Sequence, residues 1–174
     1  MITLRTLSVA FAALFTLASP LMAEEHAAGL HVHDAYARAA GMGKSGAVFF
    51  VVHNNTETDE RLADARADVA KKVELHTHKD MGDGVMKMMH VPEGFAIPAG
   101  EIHELARGGD HVMLMGLTAD LKNGDTFPLT LVFDQAGEVT IEVTVDNDRQ
   151  ASPMQMQGGH MQHDHAAHGM KSGG

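Results

Sequence analysis

The 174-residue chain contains no cysteine. That absence removes disulfide staples, thiol redox chemistry and a blue-copper electron-transfer centre, which needs a Cys thiolate. A domain built from this sequence has to rest on its hydrophobic core. Bases are scarce: 13 Lys and Arg stand against 23 Asp and Glu, a net charge of −10 with His neutral. Such a balance argues against nucleic acid and anionic membrane surfaces as partners, and it suits attraction of cations. No second long apolar run follows the N-terminal one, so stable membrane insertion is not expected. The stretch 151–174 has no Leu, Ile, Val, Phe or Tyr. It cannot bury a core, and a disordered tail is expected there.

The N-terminus has the layout of a secretory signal peptide. Arg5 gives a short positive region, Leu7 to Leu17 an apolar one, and Leu21-Met22-Ala23 a small residue for cleavage after Ala23. Removal of residues 1–23 takes one base and no acid, leaving 12 bases against 23 acids, a net charge of −11. The expected organisation is a signal peptide over 1–23, one exported domain over 24–148 and a tail over 149–174.

The domain reads as all-β. Leu30 to Arg38 alternates loosely and predicts a first strand, with His31 and His33 on one face. Ala47-Val48-Phe49-Phe50-Val51-Val52 predicts a strand buried on both faces. Arg61 to Ala70 would suit a helix by composition, but its β-rich flanks predict a strand and a turn. Lys71 to His78 predicts a strand, and Val85 to Val91 its return after Gly82-Asp83-Gly84. Short strands follow at Phe95 to Ile97, Glu101 to Leu105 and His111 to Leu117. Phe127 to Asp134 and Glu138 to Asp146 predict a hairpin whose second strand alternates Val139, Ile141, Val143 and Val145 with polar residues. This turn spacing suggests an antiparallel sandwich or barrel.

Residues two apart share a face of a strand. His76 and His78 therefore oppose Val73 and Leu75. His111, Met113 and Met115 oppose Val112 and Leu114. Met86, Met88 and His90 share the face of a third segment. Three segments thus each carry a donor face. Thioether sulfur favours Cu(I), and imidazole also suits copper, so the pattern points to a copper site of two His and two Met. A five-residue loop over Asp80 to Gly84 would set Met88 opposite His76 and Met86 opposite His78. Met89 lies on the other face and reads as packing, as Met115 can too. His53, His103, His26, His31 and His33 read as surface or capped residues, while His78 and His90 are secondary ligands or bystanders. The tail adds Met154, Met156, His160, Met161, His163, His165, His168 and Met170, a compositional signal for metal binding. Its imidazoles suit Cu(II) and its thioethers Cu(I).

Residues from about 30 to 146 resemble the periplasmic copper chaperone family PCuAC. That family carries a His, a Met about twelve residues on, and after some twenty more a His-x-Met pair. Here the pattern falls on His76, Met88, His111 and Met113, with Met86, His78, His90 and Met115 as further donors nearby. The strings Val-Glu-Leu-His, Gly-Val-Met-Lys-Met, Ile-Pro-Ala-Gly and His-Val-Met-Leu-Met-Gly-Leu match as well. Many members have Met directly after the first His, where this chain has Thr77. The gap from Met88 to His111 is one residue longer than the family spacing, near Gly108-Gly109. Neither departure removes a ligand.

The resemblance implies a cupredoxin-like β-sandwich with an exposed Cu(I) site; the chain is expected to be periplasmic and a monomer. It also implies delivery of copper to the binuclear copper centre in cytochrome c oxidase subunit II, often alongside a Sco-type protein. Some members carry a Met/His-rich C-terminal extension that binds copper, which 151–170 resembles. The competing readings are a copper-buffering or resistance protein with no dedicated acceptor, and a small copper or zinc enzyme. No nucleophile motif or His–carboxylate base pair is visible in the sequence, so no enzyme is expected.

Overall fold

A computed structural model describes residues 29–150. The expected signal peptide over 1–23, His26 and the expected tail donors from Met154 to Met170 lie outside the described residues. Within them the chain forms ten strands and no helix: β1 Leu30–Ala39, β2 Ser45–Asn54, β3 Glu60–Arg66, β4 Ala70–Asp80, β5 Met86–His90, β6 Phe95–Ile97, β7 Ile102–Leu105, β8 His111–Leu117, β9 Thr126–Phe133 and β10 Gly137–Val145. With no helix, none of the described residues forms one long and apolar enough to cross a membrane.

The strands join in the order β5-β4-β8-β2-β1-β10-β9-β3-β6, with β7 also paired to β2. β2 is the hub. It pairs with β1 along its whole length, with β8 through Ser45 to Val48 and with β7 through Phe50 to His53. That central place is why Val48, Phe49, Phe50 and Val52 are all buried, as the continuous apolar run predicts. The core also takes Leu62 from β3, Ile97 from β6, Leu105 from β7, Leu114 from β8 and Leu129 and Leu131 from β9, all buried. β10 alternates as expected, with Val139, Val143 and Val145 buried and the Glu and Thr between them exposed. Arg61 to Ala70 divides into all but the first residue of β3, a turn and the first residue of β4.

Two polar side chains fix the far end of the molecule. Buried Asn54 donates through Nδ2 to the Thr58, Ile97 and Pro98 carbonyls and accepts from the Thr56 backbone. Buried Glu60 accepts from the backbone N–H groups of Arg61, Gln135 and Ala136. These are charge- and dipole-matched partners for groups that would otherwise be costly to bury.

The pairing is antiparallel except in one place. Asp34 has a φ of 57°, and the β1–β2 register shifts between His33 and Tyr36. Beyond that bulge β1 runs parallel to β10, Tyr36 opposite Thr144 and Ala37 opposite Val145. A bulge re-aims a strand, and here it coincides with the point where β1 joins the second half of the fold.

The β4–β5 hairpin corrects the expected register. Its loop has the expected five residues but begins one residue later, at Met81. Asp80 accepts the Gly82 N–H on its side chain, and Met81 N–H donates to the Val85 carbonyl. Gly82, Asp83 and Gly84 all have positive φ, which Gly adopts freely and Asp tolerates. Asp80 is therefore the last ladder residue, opposite Met86. Met88 falls opposite His78, and His76 opposite His90.

Candidate metal centre

β5, β4, β8 and β2 lie side by side, and the expected donors share one outer face. His76 is the middle of a row: its cross-strand partners are His90 on β5 and His111 on β8. Its ring lies 5.7 Å from that of His90 and 6.0 Å from that of His111. One step toward the hairpin loop are His78 and Met88; one step the other way are Glu74 and Met113. Met113 in turn faces Ala47 of β2. Alternation thus holds: Val112 and Leu114 enter the core, and the donors occupy the opposite side.

A cleft of about 300 Å³ opens on this face, lined by His78, Met88, His111 and Met113 together with Ala47, Phe49, Arg107 and Gly108. Three of the four expected ligands meet there. His76 does not line the cleft; it lies beside it, against His111. His78, expected as a secondary donor, does line it, and its ring stacks on His111 at 5.1 Å. Met86 is opposite Asp80 near the hairpin tip, and Met115 is opposite Lys72 and Ser45; neither reaches the cleft. His90 stands at the sheet edge, 3.9 Å from Glu74. Met89, expected as packing, is exposed, because β5 is an edge strand on which every residue is exposed. Among the described residues, no three His, Asp or Glu side chains are disposed to hold a metal by themselves.

His111 departs from the expected solvent face, being only 2 % exposed. Phe49 covers it, ring to ring at 6.2 Å. Burial pushes its pKa below the ordinary value, outweighing the backbone hydrogen bond at Gly109. The ring is therefore neutral at neutral pH. Its Nδ1 lies 3.0 Å from the Gly109 carbonyl, an acceptor only, so Nδ1 carries the hydrogen and Nε2 keeps a lone pair. His78 Nδ1 lies 3.3 Å from the same carbonyl. For His76 the arrangement is reversed. Nε2 is 3.0 Å from Glu74, and Nδ1 is buried without a hydrogen-bond partner. Buried polar atoms are almost always satisfied, so this orphan marks a position where a ligand can bind.

The remaining neighbours fix the 106–110 loop. Asp110 faces His103 at 3.0 Å, and His103 stacks on Phe95 at 5.3 Å. His103, expected as a surface or capped residue, is thus capped by Asp110. Burial raises the Asp110 pKa, but hydrogen bonds from His103 and Thr77 outweigh it and the net shift is downward. Thr77, the residue that departs from the family pattern, therefore helps hold the loop that carries His111. Arg107 links the cleft to the end of the described chain: its Nη1 lies 3.5 Å from the Arg149 carbonyl, which also accepts from Arg38 at 3.2 Å. Arg149 itself pairs with Asp34 and covers the Tyr36 ring at 4.2 Å. Phe49, the Gly109 carbonyl, Arg107 and Glu74 were not legible as site residues. Only Glu74 left a signal, a carboxylate two residues before His76 on the same strand face.

Residues 30–145 match the profile of the family described as "Putative lipoprotein LpqE-like". The chain belongs to the LpqE-like family. A Leifsonia xyli subsp. xyli protein named "Putative lipoprotein Lxx21020" is 35 % identical over 121 residues, covering 70 % of this chain and 72 % of its own. The copper-bound PCuAC domain from PmoF2 superposes with a TM-score of 0.58 at 24 % identity, over 72 % of this chain and 98 % of that domain. That likeness establishes the cupredoxin-like β fold of PCuAC domains. The solution structure of Cu(I)-bound DR1885 from Deinococcus radiodurans has a TM-score of 0.52 at 29 % identity, over 67 % of this chain and 79 % of that one. The resemblance to PCuAC domains therefore holds for this member of the LpqE-like family.

Proposed function

We propose that this LpqE-like protein is an exported copper carrier rather than an enzyme. It binds Cu(I) as cargo at His76, Met88, His111 and Met113 and passes it on by ligand exchange. The observation that carries the reading is the meeting of Met88, His111 and Met113 in one cleft, beside the orphaned Nδ1 of His76. Two thioethers and two imidazoles form a soft, neutral donor set that suits Cu(I). The Cu(I)-bound relative of the same fold supports it.

The geometry also suits release. His111 is buried and held by Gly109, whereas Met88 is 41 % exposed on an edge strand. An incoming ligand can displace Met88 first and the buried donors last. The acceptor in this reading is the copper domain of cytochrome c oxidase subunit II, with a Sco-type protein acting alongside, and the carrier works as a periplasmic monomer. The lipoprotein names of its relatives fit export to the envelope, although the 174 residues hold no cysteine to carry a thiol-linked lipid.

The tail takes the second role. Met154 is five residues past Arg149, whose carbonyl is bonded to the cleft residue Arg107. Five residues of extended chain span about 17 Å, so tail donors can reach the cleft. The reading assigns Cu(II) and Cu(I) capture to Met154, Met156, His160, Met161, His163, His165, His168 and Met170, at a high effective concentration beside the core site.

The test is anaerobic transfer. The mature protein loaded with one equivalent of Cu(I) is mixed with an apo oxidase copper domain, then the two are separated and assayed for metal. Copper is expected on the acceptor. Copper remaining on the carrier under a favourable acceptor excess would leave a buffering protein as the better reading.

A further inference from the structure

Glu74 belongs to the same strand face as His76 and is itself nearly covered, with 15 % of its side chain exposed. Its two oxygens are divided. One takes Lys72 at 2.5 Å and lies 3.9 Å from His90; the other lies 3.0 Å from His76 Nε2. A carboxylate ion-paired with a lysine only accepts hydrogen bonds, so at this 3.0 Å contact the hydrogen of the His76 ring sits on Nε2. In the neutral ring, Nδ1 then carries the lone pair, and Nδ1 is the buried atom without a partner.

We infer that Glu74 is a positioning residue of the copper site: it locks His76 as the Nε2–H tautomer and so presents Nδ1 to the metal. The inference rests on the reading of His76 as a ligand. It makes the two imidazoles complementary. The Gly109 carbonyl holds His111 in the opposite tautomer, so His111 binds through Nε2 and His76 through Nδ1. A carboxylate behind a metal-bound imidazole fixes ring orientation and raises ligand basicity, and losing such a partner typically costs about 10–100-fold in affinity. The competing role, a plain Lys72–Glu74 surface pair, predicts no effect on copper.

The test uses the full mature chain with Glu74→Ala, Glu74→Gln, Lys72→Ala and His76→Ala. Two quantities are read: Cu(I) affinity by anaerobic competition with a chromophoric chelator at sub-stoichiometric copper, and the apo His76 tautomer by ¹⁵N imidazole NMR. Wild type is expected to show Nε2–H. Glu74→Ala should lose that tautomer bias and bind Cu(I) about 10–100-fold more weakly. Glu74→Gln, which keeps an acceptor oxygen, should lose less, and Lys72→Ala should change neither readout. An Nδ1–H tautomer in wild type overturns the inference. So does Glu74→Ala with wild-type affinity while His76→Ala loses binding, or Lys72→Ala matching Glu74→Ala. Unchanged affinity in His76→Ala would overturn the ligand assignment on which the inference stands.

Discussion

Replacing Met88 by Ala should separate copper binding from folding. Met88 is 41 % exposed, on an edge strand whose every residue is exposed. Fully burying a Met side chain contributes about 1.5–3 kcal/mol. With this much of the side chain already in water, the apo protein should lose about 1–2 kcal/mol at most on truncation. The contrast is Leu114 of β8, two strands in from that edge, which is fully buried in the core. Leu114→Ala should cost about 2–5 kcal/mol, the range for deleting a buried Leu without full collapse of the cavity. Copper reverses the order. Met88→Ala removes one of four donors and should weaken Cu(I) at least about tenfold, or 1.4 kcal/mol. Leu114→Ala, as long as it folds, keeps all four donors. Urea unfolding of the apo proteins measures the first quantity, and chelator competition under anaerobic conditions the second. A loss of more than about 2 kcal/mol of apo stability in Met88→Ala, or Cu(I) affinity unchanged from wild type, would refute the reasoning.

Three further outcomes follow from the same geometry. Because burial lowers the His111 pKa, the unfolded chain takes up that proton first as pH falls, so apo stability should drop from pH 8 to pH 5.5. Urea titrations should find the slope reduced in His111→Gln; over that range Glu74, held at about 2, stays ionised and contributes no slope of its own, its share being lost only at lower pH, between about 4.5 and 2. Truncation after Gln150 should leave the sandwich folded with one Cu(I) site and remove most Cu(II) binding, and Cu(II) titrations giving equal stoichiometry with and without the tail would end its proposed role. Cu(II) should give no intense blue thiolate band in a visible spectrum, since the chain has no cysteine; such a band would rule out the donor set.

The parts of the fold governed by local periodicity were legible in the sequence. β10 alternates every second residue, β2 is continuously apolar, and the donors on β4 and β8 sit opposite Leu75, Val112 and Leu114 as the two-residue repeat requires. The parts set by distant partners were not. The parallel β1–β10 contact depends on the bulge at Asp34, and no repeat in β1 announces where it lies. The β4–β5 loop begins one residue later than expected, with the Gly82 N–H donating to the Asp80 side chain, and this places Met88 opposite His78 instead of His76. His111 follows the alternation yet is buried, because Phe49 from β2 covers the outer face. Glu74 was visible as a neighbour of His76, but its division between Lys72 and His76 required the side-chain positions.

X-ray absorption of the protein truncated after Gln150, loaded with one equivalent of Cu(I), tests the site most directly. The copper shell is expected to hold two sulfurs and two nitrogens, with one sulfur lost in Met113→Ala and one nitrogen lost in His76→Ala. A shell of nitrogen alone, or one unchanged by those substitutions, would contradict it.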